Sequence, residues 1–121
     1  MFREPLPSDC PPEDAEEITC ERIVFRLVDD DPAVSEDFDS FFKLTGKTRG
    51  QECIAKSVSV FESAADAAAQ THLPKLKNKL VCQVTLGAGA GRIKQTFNPS
   101  HHSWWPYDAF DICSVCEVQG T

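Results

Sequence analysis

Nowhere does the sequence run apolar for anything near the ~20 residues of a membrane-spanning helix, so no bilayer partner is expected. Positive charge is scarce as well. Lys and Arg number 12 against 19 Asp and Glu, for a formal net charge of −7, and no basic cluster interleaves with aromatics. A chain of this balance repels phosphate, which removes nucleic acid from the expected partners. The opening Met-Phe-Arg-Glu-Pro-Leu-Pro-Ser-Asp lacks a basic start followed by an apolar stretch. No secretory leader is therefore expected, and the cytoplasm is the default compartment. A Gly-Lys-Ser/Thr triplet is absent too. The glycine run 87–91 precedes a strand pattern rather than a helix, so it reads as a hairpin loop and not a phosphate cradle.

What remains is a chain of 121 residues, 41% hydrophobic and 26% charged, which fits one globular domain with its own core. The acidity is uneven: residues 1–39 hold 13 acids against 3 bases, and residues 40–121 hold 6 against 9. Residues 1–17 combine Pro5, Pro7, Pro11 and Pro12 with Glu13, Asp14, Glu16 and Glu17, the composition of a mobile or loosely docked tail. It could also fold back on the basic part of the chain. Residues 18–121 then form the domain. The six cysteines are irregularly spaced, and in a cytoplasmic setting they read as core residues and free thiols rather than disulfides.

Hydrophobic periodicity divides the domain. Glu21 to Val28 alternates as a strand, with Ile23, Phe25 and Leu27 on one face and Val24, Arg26 and Val28 on the other. Ser35 is a candidate N-cap for a short helix presenting Phe38, Phe41 and Phe42, with Gly46 beyond its end. Residues 46–53 read as a loop and Ala55 to Phe61 as a strand. Ser63 caps an alanine-rich helix that Pro74 stops, its small side chains suited to close approach to a sheet. Strands follow over 79–86, 92–97 and 108–118, while 101–107 reads as irregular. The order β-α-β-α-β-β-β, with local hairpins and few helices, predicts an α+β domain with a mostly antiparallel sheet.

Candidate chemistry gathers in three places. Arg26 sits mid-strand on an apolar face, where a guanidinium either reaches out at the sheet edge or meets an anion. Ser57 and Ser59 share a strand face and offer hydroxyls. His101, His102, Trp104, Trp105 and Tyr107 crowd within one short segment, as the wall of a ligand pocket or as a cap on the sheet. Cys113 and Cys116 have the spacing of half a zinc site, but on an extended strand they face apart, so no metal site is expected.

An arginine in the first strand, a Ser57-Val58-Ser59 strand running into a helix, and a β-rich C-terminal half resemble the ADP-ribosyltransferase fold. They resemble especially its small bacterial members, which include the NAD-degrading RES-type toxins. The resemblance implies NAD as substrate, Arg26 on its phosphates, and Ser57 or Ser59 beside the nicotinamide. It further implies a carboxylate that stabilises the ribose during glycosidic cleavage. The family's Glu-x-Glu pair is missing; Asp108 and Glu117 are the acids that could replace it. Three functions follow: a domain that binds a small molecule or protein, an NAD-using transferase or glycohydrolase, and a zinc- or thiol-dependent protein. Unpaired sheet edges make a homodimer plausible.

Overall fold

The computed structural model describes residues 1–119. The strands are β1 (Glu16–Glu17), β2 (Arg22–Val28), β3 (Val58–Phe61), β4 (Leu80–Leu86), β5 (Gly91–Gln95), β6 (His101–Pro106) and β7 (Cys116–Val118). Helix α1 (Phe41–Thr45) and helix α2 (Glu52–Ala55) precede β3, and α3 (Ala64–Ala69) follows it. All pairings are antiparallel, in the order β1-β5-β6-β3-β2-β4-β7. The α+β architecture read from the sequence is the one found.

The sheet is two halves with one joint. β2 pairs with β4 along its whole length, yet it meets β3 only at Phe25 opposite Phe61. The next pair in register, Leu27 with Ser59, is not made. Beyond the joint the halves wrap one core, in which Val24, Val28, Cys82 and Val84 of one half meet Val58, Val60, Ile93 and Trp104 of the other. The glycine run 87–91 corrects the hairpin reading. It links β4 to β5, which do not pair, and so carries the chain from one half to the other. Gly91 has a φ of +127°, and a Cβ there would run into the Trp105 carbonyl.

Local chemistry sets the helix ends. The Ser40 hydroxyl accepts from the Lys43 amide at 3.1 Å, and Gly46 closes α1 with a φ of +74°. The expected Ser35 cap is thus displaced: Ser35 opens a separate 3₁₀ turn ending at Phe38. Ser63 caps α3 as its spacing suggests, accepting from the Asp66 amide at 3.0 Å. Ala67, fully buried, packs α3 on the outer face of the sheet.

Four further expectations need correction. Segment 101–107 is not irregular; 101–106 forms β6, every residue of it buried. A strand buried on both faces needs no polar–apolar alternation, so its pattern carries no period of two. The last strand is only Cys116–Val118, because Ile112–Val115 turns as a 3₁₀ helix that leaves Cys113 exposed rather than in the core. The 46–53 loop ends in α2, and Cys53 within it forms a disulfide with Cys10. Residues 1–17, read as a loose tail, are held at several points. Phe2 bridges Tyr107, Arg3 reaches Ser35 and Asp39, Lys94 pairs with Asp14 at 2.8 Å, and β1 adds to β5. Two of the acids that mark this segment as solvated, Asp14 and Glu17, instead dock it on Lys94 and Arg92.

Candidate functional site

Where β2 and β3 part, the outer face of the sheet opens into a groove of two joined lobes. The first lobe, about 350 Å³, runs from Arg26 and Asp39 past Ser57, Ser59, Phe61 and His101 to Lys79. The second, about 370 Å³, shares Phe41, Ser57 and Ser59 with it and extends to Arg49, Ile54 and Phe97. These volumes suit a small organic molecule. The walls are α1, α2 and the segment after α3; the floor is β3 and β6.

Arg26 holds the mouth of the groove in place. Its Nε donates to the Asp37 carbonyl at 2.8 Å, Nη1 to the Ser59 carbonyl at 2.8 Å and Nη2 to the Asp39 carbonyl at 3.2 Å. The Ser59 carbonyl lost its ladder partner when the strands parted, and the guanidinium replaces that partner. Removal from water lowers the Arg26 pKa to about 10, which still leaves it charged at neutral pH. Its main task is therefore to hold three carbonyls, with two N–H groups of its five left over.

The remaining residues nominated from the sequence divide sharply. Ser57 lines the groove, but its hydroxyl donates to the Ile54 carbonyl at 2.7 Å. Ser59 is exposed on the floor, and among the described residues no group bonds its hydroxyl. His101 lies beside it, edge-on to Phe61 at 5.3 Å and tilted against Phe97 at 5.1 Å. Burial lowers its pKa, so the ring is neutral at neutral pH. His102 sits on the opposite face, next to Glu62 at 3.6 Å.

Trp104 is core, its Nε1 donating to the Ala90 carbonyl at 3.0 Å. Trp105 is fixed under α2, donating to the Cys53 carbonyl at 3.0 Å, and Tyr107 donates to Glu17 at 2.6 Å. None of these last four lines either lobe. Asp108 borders a different depression beside Arg3 and Phe110, and Glu117 is exposed on the edge strand β7. The two candidate catalytic acids therefore do not converge with the arginine and serines.

The carboxylate that does line the groove is Asp39, which the sequence did not single out. It is engaged by Arg3 at 3.2 Å and Lys43 at 3.7 Å. Also missed were Phe41, Arg49 and Phe97. Arg49 stacks on Phe41 at 4.5 Å, and Phe97 is 72% exposed with a φ of +64°. An exposed phenylalanine after a strand carries a signal only once the fold puts it at a cleft. Among the described residues no group of His, Cys, Asp and Glu is arranged to hold a metal ion. Compared with family models, curated proteins and solved structures, the chain matches none.

Proposed function

We propose that this is a small-molecule binding domain whose ligand lies in the groove opened by the parting of β2 and β3. The reading rests on the Ser59 hydroxyl, which no described group bonds, with half-buried Phe41 and buried His101 around one concavity held open by the Arg26 clamp. Aromatic lining with polar groups converging on one concavity is what a small-molecule site offers. Amide NMR of the labelled chain, titrated with planar fragments, tests it. Shifts should cluster on Ser57, Ser59, His101, Phe41 and Phe97; shifts scattered over the surface would sink the idea.

A second reading is the NAD-using one, and the meeting of Arg26, Ser57, Ser59 and His101 at one cleft favours it. Against catalysis stands the acid: Asp39 is held by two cations, and neither Asp108 nor Glu117 borders the cleft. On this reading NAD binds, with shifts at the same residues, and nicotinamide is released; NAD binding without release would leave the binding reading alone. Release of nicotinamide that survives Asp39→Asn would show that the chemistry uses an acid outside the groove.

A further inference from the structure

We infer that His101 presents a hydrogen-bond donor, Nε2–H, to the groove, and that the ligand is a planar ring bearing a carboxylate. This rests on the binding reading above and gives it a ligand class. Ser103 is fully buried, and among the described residues its hydroxyl has one partner, the Thr96 hydroxyl at 2.9 Å. A buried hydroxyl hydrogen needs an acceptor, so Ser103 donates to Thr96. Thr96 must then direct its own hydrogen to its other partner, Nδ1 of His101 at 2.9 Å. A neutral imidazole that accepts at Nδ1 carries its hydrogen at Nε2. Burial of the ring also disfavours its charged form.

Among the described residues no protein group bonds Nε2, and His101 lines the first lobe. What approaches it must accept. The Ser59 hydroxyl stands on the neighbouring strand, two residues from Phe61, the partner of His101, and so on the same face. At the far wall Arg49 faces Phe41 and, among the described residues, has no carboxylate partner. Two neutral donors, an uncompensated guanidinium and flanking phenylalanines match a ring with an anionic acceptor. Among the described residues the groove's one acid is Asp39, already paired with Arg3 and Lys43.

The test uses the full chain labelled with ¹⁵N and side-chain histidine correlation spectra. His101 should show the Nε2–H pattern. Ser103→Ala, which removes the buried hydrogen that sets the direction, should give a mixture of tautomers with the amide spectrum otherwise retained. Benzoate should shift His101 and Arg49 signals, and benzyl alcohol, the same ring without the carboxylate, should bind about tenfold more weakly or less. An Nδ1–H pattern in the unsubstituted chain, or equal binding of the two probes, overturns the inference. Silence from both probes, with the tautomer as described, would instead remove the binding reading beneath it.

Discussion

Arg26 and His101 show how single side chains set the character of the groove. Arg26 has three carbonyls in its grip, all of which would be left without donors by truncation. Arg26→Ala is expected to cost about 3 kcal/mol in denaturant unfolding, far more than a free ligand-binding arginine would. His101 gives a pH signature. Its folded pKa lies below the ordinary 6.5, so on acidification the unfolded chain takes up a proton that the native chain does not. Stability is complete above pH 6.5 and declines as pH falls from there towards the folded value. In His101→Phe that part of the decline should vanish, as measured by unfolding midpoints across the range. The sequence exposed Arg26, because a charge at an apolar strand position is anomalous by its period. It could not show what the guanidinium bonds, since Asp37 and Asp39 reach it only through the loop before α1.

At the scale of elements, close packing and covalent ties decide the geometry of the groove walls. Ala67 of α3 is fully buried against the sheet, whereas Ala68, its neighbour, is exposed. Ala67→Leu should destabilise by about 2 kcal/mol through overpacking, and Ala68→Leu should change little. Helix α2 is tied to the N-terminal segment by Cys10–Cys53, which closes 43 residues of chain. Cys53→Ser should cost about 4 kcal/mol on the loop-entropy account, and alkylation of the unreduced protein in denaturant should label the four cysteines that are free. The caps of α3 and the end of α1 were legible from Ser63 and Gly46, because those signals are local. β6 was not, because a strand covered on both faces has no alternation to read, and its two histidines and serine look polar until their partners are known. The disulfide was equally hidden: spacing alone does not select one pairing among six cysteines.

For the whole molecule, the two half-sheets share one core and part on its outer side, and that parting makes the concavity. The class of fold followed from element order, while the single joint at Phe25–Phe61 did not, because it depends on where two strands stop pairing. The charge asymmetry of the chain resolves into docking. Lys94–Asp14 and Arg92–Glu17 bind the acidic front to the basic half, so raised salt should loosen the N-terminal segment, measured as faster amide exchange at β1.

A ligand is expected to enter the groove over Ser59. The most direct test is calorimetric titration of benzoate into the unsubstituted chain and into Ser59→Trp, whose indole fills the groove from an exposed position. Saturable one-to-one binding is expected, abolished by the indole while the unfolding midpoint is retained. Equal binding by both chains would contradict it.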